Sequence, residues 1–260
     1  MKFSIIICAY NGLEHTRTCI ESIYAHVQNI TSFECIVIND GSTDKTEAYL
    51  IHIQKRYANL RVVNHPDNKG LIIRRNEGLH LSQGEYLLFL DNDTKWTGNI
   101  LSLIEEKMLT LPEVGIVGMC GIFIPAMTAS YHLHASLIEQ DVPVQAVAAY
   151  CMAVSRKVIN QHIRFDEQLH FMQHEDIDIC LQALEKGFTI YAIAHVPLIH
   201  TEHGTFSYYK DTYEGDFKNN WLYLMNKWSG AHSFFGNTVP VSFEQRKSKS
   251  IGPATFYDLV

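Results

Sequence analysis

The chain has 260 residues, of which 47% are hydrophobic and 19% charged, and its formal net charge is −7. This is the composition of an ordinary globular protein that can bury a sizeable core, as one large domain or two small ones. The acidic balance argues against non-specific binding to nucleic acid, so no nucleic-acid partner is expected.

The six cysteines form no CxxC pair, and five of them, all but Cys19, lie in apolar runs. This pattern predicts free buried thiols in a reducing compartment, not a disulfide framework or a zinc site. The first residues, MKFSIIICAYNG, carry one lysine and a short apolar run, which is typical of a first strand and not of a signal peptide. No run of 18 apolar residues occurs, so we expect no transmembrane helix and a cytoplasmic protein.

Strand and helix signals alternate through the first 120 residues. The strand signals are FSIIICAY (3–10), FECIVIND (33–40), LRVVNH (60–65), EYLLFLD (85–91) and one or two strands within 114–124. Helical spacing of apolar residues is found at 14–27, 41–57, 70–82 and 99–109, and Ser42 or Thr43 is the expected cap of the second helix. This alternation predicts an α/β fold with a parallel sheet covered on both faces, in which ligands bind beyond the carboxyl ends of the strands.

The rhythm changes after residue 120. The apolar run at 144–155 is expected in or beside the sheet, and the stretch 174–188 predicts a helix that begins with acids and stops at Gly187. A strand-like stretch at 189–204 and an aromatic helix at 207–228 follow. The last thirty residues show no clear period. We therefore expect a main domain over residues 1–230 and a tail or linker over residues 231–260.

The stretch LDNDT places Asp91 and Asp93 two positions apart, directly after a buried strand. On an extended backbone such residues point to the same side, and carboxylates roughly 6–7 Å apart repel by about 2–3 kcal/mol. A divalent cation such as Mg²⁺ or Mn²⁺ removes this repulsion because it prefers carboxylate oxygens. A solvated turn also explains one aspartate at a strand end, but it explains two on the same side less well.

An aspartate at a predicted strand end and two arginines at a predicted helix start are further candidates. Asp40 ends the second strand, where a carboxylate can accept hydrogen bonds from a base or ribose, although a simple strand-to-helix turn also fits VINDGSTDKT. The stretch NKGLIIRRN contains Arg74 and Arg75, which are either solvated side chains at a helix start or contacts to a nucleotide.

The second half of the chain contributes two further polar motifs. The stretch HEDIDIC puts Glu175, Asp176 and Asp178 into the first turn of a helix, where the helix dipole alone already favours acids. Three acids and a histidine exceed what capping requires. The stretch LIHTEHGT supplies His200 and His203 at a strand end, although an isolated histidine is more often structural than a ligand.

Five motifs together resemble the successive motifs of family 2 glycosyltransferases of the GT-A fold: SIIICAYNG, VINDGSTDKT, NKGLIIRRNEGL, GEYLLFLDNDT and HEDIDICLQALEKGF. The resemblance covers about residues 3 to 205. It implies a Rossmann-like, mostly parallel central sheet with helices on both faces, and a transferase that uses a nucleotide-diphosphate sugar, with UDP as the expected nucleotide. It also implies a Mn²⁺ or Mg²⁺ cofactor and an inverting displacement at the anomeric carbon.

The resemblance assigns a role to each matching position. Asp176 matches the general base, and Glu175 stands beside it for the acceptor or for local hydrogen bonding, while Asp178 is expected to be structural. Asp93 is expected to bind the metal with Asp91 beside it, and His200 to reach the metal or the diphosphate, with His203 as a competitor. The residues expected to border the nucleotide are Ala9, Tyr10, Asn11, Asp40, Arg75, Asp91 and Asn92.

One departure bears on the acceptor, because LHFMQH replaces the glycine-bearing segment that usually precedes the Glu-Asp pair. The acceptor therefore stays open among glycans, lipid-linked molecules and proteins, with synthesis of a bacterial surface glycan or glycoconjugate expected and peripheral membrane association left open. Two alternatives remain. A non-catalytic nucleotide-sugar-binding module would be expected to lack the base or the paired aspartates. A nucleotidyltransferase would be expected to have a glycine-rich basic loop after the first strand.

Overall fold

The structure, a computed structural model, describes residues 1–27, 29, 32–126, 129–133, 135–201, 210–230, 246–251 and 254–259. Its helices are α1 (Leu13–His26), α2 (Thr46–Ile53), α3 (Leu71–Leu81), α4 (Ile100–Thr110), α5 (Arg156–Ile159), α6 (Glu175–Glu185) and α7 (Lys210–Lys227). Its strands are β1 (Phe3–Ala9), β2 (Phe33–Asp40), β3 (Leu60–His65), β4 (Tyr86–Asp91), β5 (Thr94–Trp96), β6 (Val114–Gly118), β7 (Gly121–Ala126), β8 (Ala129–Leu133), β9 (Val142–Pro143), β10 (Ala146–Val147), β11 (Cys151–Ser155), β12 (Thr189–Ala192), β13 (Leu198–His200), β14 (Arg246–Ile251) and β15 (Ala254–Leu259).

The central sheet has eight strands in the order β3-β2-β1-β4-β11-β6-β12-β9. The first four strands are parallel, as the alternating pattern predicts. The sheet becomes mixed at β11, which runs antiparallel to both β4 and β6, while β12 is again parallel to β6. The α/β fold class is confirmed, and the mixed half corresponds to the region in which the strand–helix rhythm of the sequence stops.

Alternate side chains of the buried strands enter two separate cores, one on each face of the sheet. In β1, Ile5 and Ile7 pack in the core that contains Ile20 of α1, whereas Ile6 packs with Ile72 of α3 in the other core. A strand buried on both faces has polar positions available only at its ends. The register pairs Cys8 with Asp91, Ala9 with Asn39 and Asp40 with His65, so the polar strand ends gather at one edge, as predicted.

The start of α2 differs from the prediction. The helix begins at Thr46, and neither Ser42 nor Thr43 caps it, because both are engaged by Asn11. The Asn11 amide nitrogen donates to Ser42 Oγ at 2.8 Å, and Asn11 Oδ1 accepts from the Thr43 amide at 2.8 Å. Asp44 Oδ1 instead accepts from the Thr46 amide at 2.9 Å, which satisfies one of the open donors of the helix start.

The second half of the chain largely follows its predicted pattern. The described part of the predicted stretch 189–204, residues 189–201, contains β12 and β13, and β13 lies outside the central sheet and pairs with β5. Within residues 231–260, the described strands β14 and β15 form a hairpin, and β15 pairs with β8 in a second sheet. The boundary at residue 230 stays a prediction. No helix among the described residues is long and apolar enough to cross a membrane, and the six cysteines form no disulfide bond.

Candidate active site

The turn after β4 carries the two aspartates of the LDNDT motif. Thr94 Oγ1 donates to the Asp91 carbonyl at 2.8 Å, which closes the turn between β4 and β5. Asn92 is only 3% exposed, and its Nδ2 donates to Thr16 Oγ1 of α1 at 2.9 Å. Its side chain therefore anchors the turn to α1. The contact of Asn92 with a nucleotide stays a prediction, and the burial of this amide disfavours it.

Asp91, Asp93 and His200 form a cluster in which one ligand atom from each residue lies within 4.8 Å of the other two. The pairing of β13 with β5 brings His200 opposite Thr94, and the Thr201 amide donates to the Asp93 carbonyl at 2.9 Å. His200 Nε2 lies 3.2 Å from Asp93 Oδ1. The predicted metal residues are thus brought together, while the competing His203 lies outside the described residues.

The chemistry of this cluster fits a divalent cation. Asp93 Oδ1 is buried and has no hydrogen-bond partner, although most buried polar atoms in proteins have one. The Tyr150 ring stacks on the His200 imidazole, with centroids 4.2 Å apart and planes 9° apart, and so fixes the ring beside the carboxylate. Two carboxylates and an imidazole are ligands that Mn²⁺ accepts, and water or phosphate oxygens complete such sites.

Arg75 connects the aspartate turn to the acids of α6. Its Nη2 donates to Asp91 Oδ1 at 2.8 Å, and its Nη1 donates to Glu175 Oε1 at 2.5 Å. The guanidinium is buried, and it also lies 5.7 Å from the centroid of the Phe165 ring. Arg75 therefore sits at the predicted nucleotide side, next to Asp91, and its charge is shared by two carboxylates.

The two adjacent acids at the start of α6 lie in different environments. Glu175 is 5% exposed, and burial, opposed by Arg75, raises the pKa of its carboxyl to about 7. Asp176 is half-buried; burial, again opposed by Arg75, also raises the pKa of its carboxyl. Asp176 Oδ1 accepts from the Ile177 amide at 2.8 Å and Oδ2 from the Ala149 amide at 3.4 Å. Of the pair, Asp176 is the carboxylate that is open toward solvent.

Asp178 has the structural role expected of it. Its side chain is fully buried and accepts hydrogen bonds from Trp228 Nε1 at 2.8 Å, from Lys227 Nζ at 2.9 Å and from Gln182 Nε2 at 2.7 Å. These donors come from α6 itself and from the end of α7. Asp178 therefore connects α7 to α6.

The Asp40 carboxylate forms more hydrogen bonds within the protein than the sequence predicts. Its carboxylate accepts from the amides of Lys69 and Gly70 at 2.9 and 2.8 Å and from Arg74 Nε at 2.5 Å, and the residue is 4% exposed. These contacts hold the loop before α3. A carboxylate has about four lone-pair positions, so one remains for a base. The contact of Asp40 with a nucleobase stays a prediction.

The other predicted nucleotide residues line the end of β1. Ala9 is buried as the last residue of the strand, and Tyr10 is half-buried beside it. Asn11 adopts a left-handed conformation, with φ of 55°, and its side chain holds the loop at Thr43. Asn11 is therefore a loop anchor in this structure, and its contact with a nucleotide stays a prediction.

The segment Ala149–Tyr150 was not singled out in the sequence, yet it lies between the two acidic motifs. The Ala149 amide donates to Asp176, and the Ala149 carbonyl accepts from Arg75 Nη2 at 3.4 Å. The Tyr150 carbonyl accepts from the Asp91 amide at 3.1 Å. No sequence motif marks this segment. Only its position directly before the apolar run that forms β11 could have pointed to it.

Comparison with known proteins decides the family. The model of Glycosyl transferase family 2 matches residues 4–140, which is more than half of the chain. The chain belongs to this family. The resemblance seen in the five motifs is thereby confirmed, and the chain is a glycosyltransferase.

Several curated relatives are similar to this glycosyltransferase over different lengths. The amylovoran biosynthesis glycosyltransferase AmsB of Erwinia amylovora is 27% identical over 208 residues, which cover 75% of this chain and 67% of AmsB. The uncharacterized glycosyltransferase YibD of Escherichia coli is 38% identical over 110 residues, or 42% of this chain and 30% of YibD. The teichoic acid poly(glycerol phosphate) polymerase of Staphylococcus epidermidis is 27% identical, over 65% of this chain and 24% of that protein. The chain thus spans two thirds of AmsB but less than a third of the other two.

Solved structures confirm the GT-A fold. The mannosyltransferase PcManGT from Pyrobaculum calidifontis, in complex with GDP-Man and Mn²⁺, matches with a TM-score of 0.59 and 17% identity over 75% of this chain and 55% of that chain. Staphylococcus aureus TarS 1–349 in complex with UDP matches with a TM-score of 0.57 and 22% identity over 74% and 57%. GalNAc-T7 with UDP, GalNAc and Mn²⁺ matches with a TM-score of 0.69 and 14% identity over 90% and 49%.

Proposed function

We propose that this chain is an inverting, metal-dependent glycosyltransferase that moves a sugar from a nucleotide-diphosphate donor, with UDP as the nucleotide, to an acceptor hydroxyl. The observation that carries the proposal is the buried Asp93 Oδ1, which lacks a hydrogen-bond partner and stands 3.2 Å from His200 Nε2 in a cluster with Asp91. A buried carboxylate oxygen that accepts no hydrogen bond is costly unless a cation stands beside it, and that cation is either a metal ion or a protonated His200 imidazole.

The residues that would hold the cation are Asp93, His200 and Asp91. A Mn²⁺ or Mg²⁺ ion bound there would neutralise the charge of the donor diphosphate and of the leaving group. Two solved structures of the same fold, PcManGT and GalNAc-T7, contain Mn²⁺ together with GDP-Man or UDP, which supports this choice of ion. Tyr150 contributes by keeping the imidazole in place.

The nucleotide would lie at the carboxyl ends of β1, β2 and β4, where α/β sheets bind their ligands. Ala9 and Tyr10 would border the base, and Asp40 would accept a hydrogen bond from it while the same carboxylate keeps the loop at Gly70 in place. Arg75 would stabilise Asp91 beside the ribose.

In the chemical step, Asp176 acts as the general base. The acceptor hydroxyl oxygen attacks the anomeric carbon and forms the new bond, Asp176 takes the hydroxyl proton, and the bond from that carbon to the diphosphate oxygen breaks with its electron pair on the nucleoside diphosphate. The raised pKa of Asp176 suits a proton acceptor. Glu175 is less suited to this role because it is buried and bound by Arg75.

The acceptor class rests on the relatives. AmsB is named for amylovoran biosynthesis, and a second relative is a teichoic acid polymerase. These names support synthesis of a bacterial surface glycan or glycoconjugate, with a glycan, lipid-linked or protein hydroxyl as acceptor; that the protein works in the cytoplasm is part of the proposal and does not rest on them. A lipid-linked acceptor would require contact with a membrane surface.

A screen of nucleotide sugars tests the proposal. Wild-type protein should release nucleoside diphosphate from one of them in the presence of Mn²⁺ and lose this turnover in EDTA. Asp93→Ala should lose it in Mn²⁺ as well, whereas Glu106→Ala, which removes an exposed carboxylate on α4, should keep it. Turnover that persists in EDTA, or full activity of Asp93→Ala, would contradict the metal assignment.

A further inference from the structure

The turn that precedes the proposed base has an unusual backbone. Phe171, Gln173 and His174 have φ values of 62°, 83° and 66°, in the left-handed region that residues with a Cβ rarely adopt. Each such residue adds conformational strain, which persists only when neighbouring groups hold the backbone in place. Because His174 directly precedes α6, the backbone conformation of this turn determines the positions of Glu175 and Asp176 at the start of the helix.

One side chain of α7 forms hydrogen bonds with the backbone of residues 170, 172 and 173. Asn220 is 2% exposed, and its Oδ1 accepts from the His170 amide at 2.7 Å. Its Nδ2 lies within hydrogen-bond distance of three carbonyl oxygens, those of Met172 at 2.7 Å, His170 at 2.9 Å and Gln173 at 3.3 Å. A single buried amide therefore contacts the backbone just before the turn, at His170, and within it, at Met172 and Gln173.

The helix that carries Asn220 is itself fixed against α6. Trp228 Nε1 and Lys227 Nζ both bind the buried Asp178 carboxylate at one end of the contact. At the other end, the His174 ring packs edge-on against Phe217 and Trp221, with centroids 4.6 and 5.1 Å away. Asn220 is thus held against the turn by contacts on both sides of it.

The opposite side of the turn contacts the start of α3. The Ile72 amide donates to the Phe171 carbonyl at 3.4 Å, and a Cβ on Gly70 would lie 2.9 Å from that carbonyl oxygen. Gly70 is independently fixed by Asp40. The turn therefore lies between the loop on the donor side and the acids of α6, and Asp40 gives that loop an anchor separate from Asn220.

We propose that Asn220 is a positioning residue that holds the strained turn 171–174 in the conformation that directs Asp176 toward the acceptor. The inference rests on the proposed role of Asp176 as the base. Without the Asn220 amide, the carbonyls of His170, Met172 and Gln173 lose this donor. The turn then relaxes to backbone conformations that shift the start of α6. A displacement of about 1 Å at a reacting group lowers turnover by roughly 100-fold.

Three variants test the proposal: Asn220→Ala, the control Asn219→Ala, which changes an exposed asparagine of the same helix, and the double variant Asn220→Ala/Gln173→Gly. Hydrogen exchange of peptides within 166–180 reports on the turn. Hydrolysis of the nucleotide sugar with the highest turnover in Mn²⁺ gives kcat and KM, and titration with UDP and Mn²⁺ reports on the donor side. The glycine matters because it adopts positive φ without strain.

We expect Asn220→Ala to accelerate exchange in the turn and to lower kcat by about 10- to 100-fold, with KM and the Kd of UDP within about twofold of wild type. Gln173→Gly should restore part of the lost kcat, because glycine adopts the positive φ at position 173 without strain and the turn then needs less stabilisation from Asn220. If Asn220→Ala does not fold, Asn220→Ser, which keeps one hydroxyl donor, is judged by the same criteria.

Three results would overturn the proposal: the same kcat in Asn220→Ala and Asn219→Ala, a lower kcat without faster exchange in the turn, or no rescue by Gln173→Gly. The role of Asp176 is tested separately. If Asp176→Asn keeps wild-type turnover, the base assignment fails, while faster exchange in Asn220→Ala still shows that Asn220 holds the turn.

Discussion

Arg75 and Glu175, one hundred positions apart in the chain, form a buried ion pair with 2.5 Å between Nη1 and Oε1. The same guanidinium binds Asp91 at 2.8 Å, so a single buried cation connects the proposed metal turn with the first turn of α6. This arrangement engages one oxygen of the Glu175 carboxylate inside the protein. It supports the assignment of proton transfer to Asp176, the more exposed of the two neighbouring acids.

The first prediction concerns the stability that Arg75 provides. Arg75→Met should lower the free energy of unfolding by about 3–5 kcal/mol at pH 8, because it leaves two carboxylates without their buried cation. Urea denaturation measures this difference. Arg17→Met serves as the control, since Arg17 pairs with Glu14 at the surface, and should change stability by less than about 0.5 kcal/mol. An equal effect of both changes would contradict the role of Arg75.

The second prediction concerns pH. Burial raises the pKa of Glu175 from 4.5 to about 7 in the folded protein, so between these values the folded state binds more protons at this site than the unfolded state. Its contribution to stability is therefore fully present below about pH 4.5 and is lost as the pH rises toward 7. Glu175→Gln should remove this component. Urea denaturation of both proteins from pH 5 to 8 checks it, and identical pH profiles would contradict the assigned shift.

The third prediction concerns Asp40. Asp40→Ala should weaken the binding of UDP by about 1–3 kcal/mol, because a charged hydrogen-bond acceptor is lost. It should also lower stability, since Arg74 and the Gly70 amide lose their partner. Calorimetric titration with UDP and GDP, at a temperature where the variant is folded, separates the two effects. An unchanged Kd for both nucleotides would contradict the contact of Asp40 with the nucleobase, and Asp40 would then serve only to hold the loop before α3.

The fourth prediction compares His200, the last residue of β13, with His203. His200→Ala should weaken Mn²⁺ binding more than His203→Ala, because the His200 imidazole is already held beside Asp93 by the Tyr150 ring. Titration of Mn²⁺ followed by electron paramagnetic resonance measures free and bound ion. The opposite order of affinities would transfer the ligand role to His203.

Sequence patterns predicted the strands that carry the site because each is a short apolar run that ends in a polar residue. The runs before Asn39-Asp40 and before Asp91 have this form, and both end at the same edge of the sheet. Local pattern also identified the acids of α6. For these residues, the position in an element was enough to indicate a site.

Contacts between distant segments could not be predicted in this way. The pairing of β13 with β5 brings His200 to Asp93, and it depends on a strand that leaves the central sheet. The ion pair of Arg75 with Glu175 depends on how α3 and α6 pack on the same core. Asn220 stands in a helix whose sequence reads only as aromatic and polar, and its role follows from the backbone of a turn far away in the sequence.

The central claim is that Asp176 removes the acceptor proton in a metal-dependent glycosyl transfer, and the comparison of Asp176→Asn with Glu175→Gln tests it most directly. With the nucleotide sugar and acceptor that give the highest turnover in Mn²⁺, Asp176→Asn should lower kcat by roughly 10²–10⁴-fold and leave the Kd of UDP unchanged, since the proton moves only in the transition state. Glu175→Gln should lower kcat much less. Wild-type turnover of Asp176→Asn, together with a large loss in Glu175→Gln, would contradict the account and assign the base to Glu175.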